Sequence, residues 1–267
     1  MSLRAEVFEE VLLGGSANAG LVTRVGDTVR RPVRPTSNAT WALLDHLERV
    51  DFPGAPRHLG VDEQGREVLS YVPGTAVLRP YPAWALTDSA LMSVARLLRD
   101  YHRAADGFDF DAHEWGHPLP SEFRGGIVCH NDLNLDNIIF VGGQATALID
   151  FDLSGPGCVG WDLAGATRLW APLEIDPDRP MVPAESLRRL GLFADTYGAT
   201  KAEREQLIDA MVPCHDWCCQ IVEEAANSGH ETFSHYWHGG GSDCARLTRQ
   251  WLSTHASEMR AALGLGA

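Results

Sequence analysis

The segment from Val128 to Asp152, "VCHNDLNLDNIIFVGGQATALIDFD", constrains the fold more than any other part of the chain. It contains two β-rich runs, "IIFV" and "ATALI", separated by the turn residues Gly-Gly-Gln at 142–144. Glycine-rich turns between two such runs predict a tight β-hairpin. Polar residues precede the first run and follow the second, so the hairpin should bring two polar groups together.

The open end of this hairpin predicts a metal site. A two-residue loop at Gly143-Gln144 would place Asn137 opposite Asp150, whereas a loop at Gly142-Gly143 would place Asn137 opposite Leu148. Either register brings an amide oxygen and a carboxylate to the same end of the hairpin. A few oxygen ligands that leave room for water and phosphate are typical of Mg²⁺ sites. We therefore predict that Asn137 and Asp150 bind Mg²⁺.

A third polar residue, Asp132, lies five positions before Asn137 on the loop that precedes the hairpin. A carboxylate at this place could orient a hydroxyl group and accept its proton while a phosphoryl group is transferred to it. A single Asp or Asn on a loop usually forms a turn or caps a helix. The full spacing, H-x-D-x₄-N followed by "IDFD", favours the catalytic interpretation.

The periodicity of the remaining sequence predicts an α+β fold with two parts. Residues 8–31 alternate between apolar and polar and predict strands, and a helix should begin near Ser37 or Asn38. From about Pro183 onwards nearly all segments have helical periodicity. We expect a small β-rich lobe over residues 1–74 and a larger, mostly helical lobe over 75–267. The larger lobe would divide into a catalytic core with the hairpin (75–165) and a helical subdomain (166–267).

Composition and charge narrow the class of partner. The chain of 267 residues is 45% hydrophobic and contains no apolar run of 18 residues, and its amino terminus is acidic, which indicates a cytoplasmic protein. The net charge of −14 argues against binding to nucleic acids or anionic membranes. It would suit a small cationic substrate, although a dispersed acidic surface that aids solubility is the more ordinary explanation.

The motifs "HNDLNLDNIIF", "ALIDFD" and "GWDLA" together resemble the aminoglycoside phosphotransferase and choline kinase group of small-molecule kinases. The resemblance covers nearly the whole chain, although "HND" stands where most relatives have His-Gly-Asp. It implies a protein-kinase-like two-lobe fold. It also implies an enzyme that transfers the γ-phosphate of ATP or GTP to a hydroxyl of a small molecule, with Mg²⁺ as the cofactor.

The resemblance also implies roles for single residues. Asp132 matches the catalytic aspartate, and Asn137 and Asp150 match the Mg²⁺ ligands. His130 and Asp162 match residues that hold the catalytic loop in place. We interpret Asp152, which lies outside the metal pattern, as a loop acid that is hydrogen-bonded to the backbone.

Two further segments would contact the nucleotide. The segment "LSYVPG" matches the hinge, where the backbone of Ser70, Tyr71 and Val72 would hydrogen-bond the base. The segment "LLGGSANAG" matches a glycine-rich phosphate loop. Its candidate residues are Gly14, Gly15 and Gly20. This loop is not a strict phosphate-binding signature and could equally be a flexible hairpin tip.

The sequence departs from this family at one important position. Kinases of this shape bind the α- and β-phosphates with a lysine on the third strand, paired with a glutamate on the following helix. The only lysine of this chain is Lys201. Arg31 in "TVRRP" should face the cleft and is our candidate substitute. The following helix has no acid in its first turns, since Asp45 and Glu48 come late.

This departure keeps a second hypothesis open, namely a catalytically inactive kinase-like protein that acts by binding or confers immunity. A metal-dependent phosphoesterase is a third hypothesis, but the second cluster of metal ligands that a two-metal site requires is not evident in the sequence. The segment "CHDWCCQ" has spacings that do not fit a zinc site, and we interpret its cysteines as buried thiols on a core helix.

Overall fold

A computed structural model describes residues 9–12 and 20–266. The first sheet is antiparallel and has five strands in the order β1-β2-β3-β5-β4. Its strands are β1 (Glu10–Val11), β2 (Thr23–Val25), β3 (Thr28–Pro32), β4 (His58–Val61) and β5 (Arg66–Ser70). The predicted glycine-rich loop falls largely in the gap, so Gly14 and Gly15 lie outside the described residues.

Helix α1 (Ser37–Arg49) follows β3 and contributes Leu43, Leu44 and Leu47 to the core. It begins at Ser37, so the residue at the cap position is Thr36 rather than the predicted Ser37 or Asn38. The hydroxyl oxygen of Ser37 instead accepts the backbone N–H of Arg34 at 2.9 Å. This hydrogen bond fixes the turn that connects β3 to the helix.

The hairpin predicted from the sequence is present. Strand β6 (Thr75–Ala76) pairs with β8 (Ile138–Val141), and β8 pairs with β9 (Gln144–Leu148). A separate two-stranded sheet joins β7 (Ile127–Cys129) to β10 (Gly155–Gly157). The segments immediately before and after the hairpin therefore leave from neighbouring positions, at the end of the hairpin opposite its turn.

The register of the hairpin lies between the two predicted registers. The loop is Gly142-Gly143, but the pairing shifts by one residue between Ile139 and Phe140. The shift is a β-bulge, which adds one residue to β9. As a result Asn137 lies opposite Ile149, whose backbone N–H donates to the Asn137 carbonyl at 2.9 Å. Asp150 follows directly, so the two predicted metal ligands flank this last hydrogen bond.

Within the described residues 20–266, seven helices follow α1. They are α2 (Asp88–Ala105), α3 (Val159–Trp170), α4 (Pro183–Tyr197), α5 (Lys201–Asn227), α6 (Glu231–Tyr236), α7 (Ser242–Thr254) and α8 (Ala256–Ala262). A π-helical turn at Trp237–Gly241 connects α6 to α7. None of the described helices is long and apolar enough to cross a membrane.

Helix α2 forms the centre of the core. Its predicted apolar face is confirmed, because the side chains of that face are buried. They are Leu91, Val94, Leu97, Leu98 and Tyr101. The Tyr101 hydroxyl donates a hydrogen bond of 2.9 Å to the carbonyl oxygen of Val128 on β7. The helix therefore supports the strand that leads into the predicted catalytic loop.

Helices α3 and α5 pack closely at Gly160. A Cβ atom placed on Gly160 would lie 2.3 Å from the Cβ of Gln206 and 2.8 Å from the backbone nitrogen of Leu207. Both neighbours belong to α5, and a backbone atom cannot move aside easily. The absence of a side chain at Gly160 therefore sets the distance between the two helices.

We predict that Gly160→Ala lowers the free energy of unfolding by about 1–3 kcal/mol, because the added methyl group would push α3 away from α5. Gly165→Ala on the same helix is the matched control, since its Cβ would meet only the Cys214 sulfur at 3.5 Å. The control should be neutral or stabilising by up to about 1 kcal/mol. Urea denaturation of both variants tests this, and equal midpoints would contradict the packing argument.

Candidate active site

The predicted catalytic loop leaves β7 and is held by the buried carboxylate of Asp162. One oxygen of Asp162 accepts the backbone N–H of His130 at 2.9 Å, and the other accepts the backbone N–H of Asn131 at 2.9 Å. Nε2 of His102 lies 3.0 Å from the same carboxylate. Burial alone would raise the pKa of Asp162, but these hydrogen bonds and the nearby His102 hold it below its ordinary value. Asp162 is therefore ionised and fixes the loop backbone.

His130 is part of the support of this loop. Its Nε2 lies 3.1 Å from the carbonyl oxygen of Ile149, and its Nδ1 accepts the backbone N–H of Asp132 at 3.3 Å. Burial lowers the pKa of His130 to about 4, so the ring is neutral at physiological pH. A neutral ring with both nitrogens in use links the catalytic loop to the end of β9.

Asp132 lies on the loop with a half-buried side chain. One of its carboxylate oxygens accepts a hydrogen bond of 2.5 Å from the Asn134 side chain. Burial raises the pKa of Asp132 well above its ordinary value, and the negative charge of Asp150 raises it further. The charged form is thus a stronger base than an ordinary aspartate.

Asn137 and Asp150 lie beside Asp132, as the hairpin predicted. The Asn137 side-chain amide donates to the backbone oxygen of Asp132 at 3.0 Å, which leaves its own amide oxygen as a candidate ligand. Asp150 adopts the left-handed conformation, with φ 62° and ψ 67°. Non-glycine residues adopt that region uncommonly, although Asp and Asn do so more readily than others, and such residues cluster at functional sites. An amide oxygen and a carboxylate fit the preference of Mg²⁺ for oxygen ligands.

Arg31 reaches the same place from β3. Its side chain is buried, and its Nη1 donates a hydrogen bond of 2.7 Å to Asp150. Its Nη2 lies 2.8 Å from Asp152, and its Nε lies 2.7 Å from Glu67 on β5. The neighbouring Arg30 points to the other face of the sheet. Arg31 therefore points towards the hairpin, and its role as the substitute for the missing lysine stays a prediction.

The interpretation of Asp152 as a loop acid bound to the backbone was wrong. Its carboxylate makes ion pairs with Arg31 at 2.8 Å and with Arg34 at 2.6 Å. The sequence could not indicate this, because residues 31 and 34 lie more than a hundred positions away. The short helical turn Phe151–Leu153 presents the Asp152 side chain to both arginines.

Among the described residues, this cluster contains the carboxylates of Glu67, Asp150 and Asp152 and the guanidinium groups of Arg31 and Arg34. Negative charge is in excess. Burial lowers the pKa of Arg31, but the three carboxylates outweigh it and the net shift is upward. The pKa of Asp152 is raised by burial and by repulsion from Asp150, despite its two arginine partners.

Glu67 is the site residue that sequence reasoning missed. We expected the acidic partner of the phosphate-binding cation on α1, but the two late acids of that helix contact other residues. Glu48 pairs with Arg57 at 2.5 Å, and Asp45 lies 3.8 Å from His58. The available signal was an acid at the start of the otherwise apolar buried strand "EVLS".

The predicted hinge follows β5. The Ser70 hydroxyl oxygen accepts the backbone N–H of Arg57 at 2.8 Å, and the Tyr71 backbone N–H donates to the backbone oxygen of Asp27 at 2.8 Å. Tyr71 and Val72 are half-buried. The remaining predicted nucleotide contact, Gly20, lies in an exposed turn with φ +78°. Base recognition by these residues stays a prediction.

Cys218 on α5 is a second residue whose position the sequence did not reveal. It lies close enough to Asp132 to contribute to the raised pKa of that carboxyl. Its own pKa is lowered to about 7, first by the neighbouring Cys214 thiol and also by Arg168. The helix that we interpreted as a core element therefore also forms one side of the space around Asp132.

Comparison with known proteins supports this arrangement. The model of the phosphotransferase enzyme family matches residues 118–194, which contain the catalytic loop, the hairpin and α3. The trifolitoxin immunity protein of Rhizobium leguminosarum bv. trifolii is 30% identical over 268 residues, which cover 96% of this chain and 99% of that protein.

Two solved structures share the fold. A choline/ethanolamine kinase family protein from Mesorhizobium loti has a TM-score of 0.61 and 18% identity, covering 97% of this chain and 92% of that one. The GDP complex of aminoglycoside 2'-phosphotransferase-IIIa has a TM-score of 0.61 and 14% identity, covering 92% and 93%.

The fold and the site thus define a protein-kinase-like protein of the α+β class with two lobes. The chain belongs to the same family as the trifolitoxin immunity protein, and its residues 118–194 match the phosphotransferase enzyme family.

We predict that Asp132→Asn raises the melting temperature at pH 7. A carboxyl whose pKa is raised by folding contributes stability only at low pH, below its unfolded value of about 3.9, and that contribution is lost as the pH rises through the folded pKa. At pH 7 the Asp132 carboxyl is therefore destabilising, whether it stays charged or takes up a proton on folding, and each kcal/mol relieved raises the melting temperature by about 2–4 °C.

Melting curves between pH 4 and pH 8 test this prediction. The difference between the variant and the wild type should shrink towards pH 4. Asp209→Asn, at an exposed position on α5, is the control and should change stability by no more than about 0.5 kcal/mol. A lower melting temperature for Asp132→Asn at pH 7 would show that the Asp132 carboxyl does not destabilise the folded protein.

Proposed function

We propose that the protein is a Mg²⁺-dependent phosphotransferase that moves the γ-phosphate of ATP or GTP to a hydroxyl group of a small molecule. One observation carries this proposal: Asp132, Asn137, Asp150 and Arg31 converge at the open end of one hairpin. A base, two oxygen ligands and a cation for phosphate are the parts that phosphoryl transfer requires.

Asp132 is the base in this proposal. The acceptor hydroxyl would donate a hydrogen bond to its carboxylate. The proton would pass to Asp132 as the hydroxyl oxygen bonds to the γ-phosphorus and the bond from that phosphorus to the β-phosphate oxygen breaks, which releases the nucleoside diphosphate. The raised pKa of Asp132 makes it a better proton acceptor, provided that it is ionised at the working pH. Its hydrogen bond from Asn134 fixes the orientation of the carboxylate.

The other residues would bind the nucleotide. Asn137 and Asp150 would hold Mg²⁺, which supplies charge neutralisation on the phosphates when it is bound. Arg31 would contact phosphate oxygens with its terminal nitrogens, a geometry that guanidinium groups favour. The proposal assigns residues 1–74 to the nucleotide lobe, 75–165 to the catalytic core and 166–267 to the acceptor side.

The acceptor would enter between the catalytic loop and α5, where Cys218 lies near Asp132. The net charge of −14 suits a cationic acceptor that a cytoplasmic enzyme would meet. On α5, the carboxylate of Asp216 pairs with Arg249 at 2.9 Å, so other acids would have to bind a cationic acceptor.

A second candidate function is immunity by binding without phosphate transfer. Two observations favour it: a relative of 30% identity is named an immunity protein, and Arg31 engages the carboxylate that should hold the metal. If that contact persisted in the presence of nucleotide, the Oδ1 atom of Asp150 would stay occupied by Arg31, which would weaken Asp150 as a metal ligand. The two functions therefore differ in whether Mg²⁺ and nucleotide bind together.

We predict that ATP or GTP at about 100 times its dissociation constant stabilises the protein by roughly 2.7 kcal/mol, and only when Mg²⁺ is present. For a chain of this size the melting temperature should rise by roughly 5–10 °C. Asp150→Asn should abolish the Mg²⁺-dependent part of this shift, because an amide is a weaker metal ligand. Asp132→Asn should keep it.

Thermal-shift titrations and a nucleotide hydrolysis assay check these outcomes. Asp132→Asn should lower turnover by at least about 100-fold, which is the ordinary contribution of a general base. Asp62→Asn, in the turn between β4 and β5, is the control for Asp150→Asn. The same nucleotide shift with and without Mg²⁺, or no shift at all, would reject the phosphotransferase and favour the binding function.

A further inference from the structure

We propose that Glu67 is the positioning residue for the phosphate-binding cation, so that Arg31 and Glu67 form a cross-strand pair in place of the usual strand-to-helix pair. This inference rests on the proposed function. Its novelty is the location of the acid: Glu67 belongs to strand β5, not to helix α1.

The sheet register places the two residues together. Arg31 on β3 and Glu67 on β5 are direct partners in the antiparallel pairing. Side chains at such positions point to the same face and lie side by side. Both are buried, with exposed fractions of 6% for Arg31 and 1% for Glu67. The pairing of β3 with β5 therefore places the acid beside the arginine without a contribution from helix α1.

The carboxylate of Glu67 is itself held on both oxygens. Oε1 lies 2.7 Å from Nε of Arg31, and Oε2 accepts a hydrogen bond of 2.9 Å from Nε1 of Trp41. The indole of Trp41 stacks on the ring of His58, with centroids 4.6 Å apart. The N–H of Arg31 is not directed at Oε1, so this contact is an ion pair rather than a hydrogen bond.

The position of Glu67 determines where the rest of the guanidinium points. Glu67 occupies the Nε side, which leaves Nη1 and Nη2 directed at Asp150 and Asp152. When Asp150 acts as a metal ligand, Nη1 can donate to a phosphate oxygen instead. Glu67 and Asp152 would still neutralise the buried charge, so Arg31 need not leave the site.

The arrangement also makes the pair independent of the position of α1. Both members lie on adjacent strands of one sheet, so their distance is fixed by backbone hydrogen bonds. From helix α1, Trp41 donates a hydrogen bond to Glu67, and its uncharged side chain forms no ion pair with Arg31. An outward shift of α1 would loosen Glu67 but would not separate it from Arg31.

The test is Glu67→Gln, which keeps the shape and the acceptor for Trp41 but removes the charge. Asp62→Asn is the matched control, because Asp62 lies in the turn between β4 and β5 and pairs with Arg66 at 2.9 Å and with Arg30 at 3.5 Å, away from Arg31. Calorimetry gives the Kd for ATP or GTP with Mg²⁺, melting curves give the melting temperature without nucleotide, and steady-state kinetics give kcat and the KM for nucleotide.

We expect Glu67→Gln to weaken nucleotide binding by roughly 10–100-fold, as for the loss of a contact with a charged group. Its KM for nucleotide should rise far more than its kcat falls, and Glu67→Asp should restore part of the affinity. Asp62→Asn should stay within about twofold, since it does not contact Arg31.

The outcomes separate the two proposals. An unchanged Kd with a lower melting temperature would mean that Glu67 has a purely structural role, and the inference would be overturned while the proposed function stands. Wild-type protein that binds neither nucleotide would overturn both. If Glu67→Gln does not fold, Trp41→Phe provides the test, because loss of the indole N–H should weaken binding by roughly 2–10-fold.

Discussion

The buried positive charge of Arg31 is the constraint on which the candidate site depends. A guanidinium inside a protein must be neutralised, because leaving an ion unpaired in a low dielectric costs several kcal/mol. Arg31 finds its partners in two separate places: Glu67 in the five-stranded sheet, and Asp150 and Asp152 in the segment that follows the hairpin. One charge therefore joins the two parts of the fold at the place where phosphate would bind.

A second buried charge fixes the other half of the site. Asp162 accepts two backbone N–H groups of the catalytic loop and contacts His102, so its hydrogen-bonding capacity is largely used. Asp132 differs, because burial and Asp150 raise its pKa. The charged form of Asp162 is stabilised and fixes the backbone of the loop. The charged form of Asp132 is destabilised, which is the property that the proposed base requires.

The sequence predicted local features well and long-range partners poorly. The hairpin, the apolar face of α2 and the direction of Arg31 follow from periodicity and alternation, which are properties of neighbouring residues. The bulge, the Glu67 partner and the Asp152 ion pairs depend on strand register and on contacts across more than thirty positions, which one sequence does not specify. Asn137 lies opposite Ile149 because a single extra residue shifts the pairing, an outcome that neither predicted register contained.

The charge imbalance of the cluster is an argument for cation binding. Among the described residues, three carboxylates face two guanidinium groups, and repulsion from Asp150 adds to burial in raising the pKa of Asp152. A protein that needed only rigidity could remove one acid and gain stability, since buried carboxylates that repel each other are costly. Asp150 is in addition held in a left-handed conformation. The repulsion between the carboxylates and the left-handed conformation of Asp150 both destabilise the end of this hairpin. A divalent cation would offset the excess negative charge, and Arg31 could then donate its hydrogen bond to a phosphate instead of to Asp150.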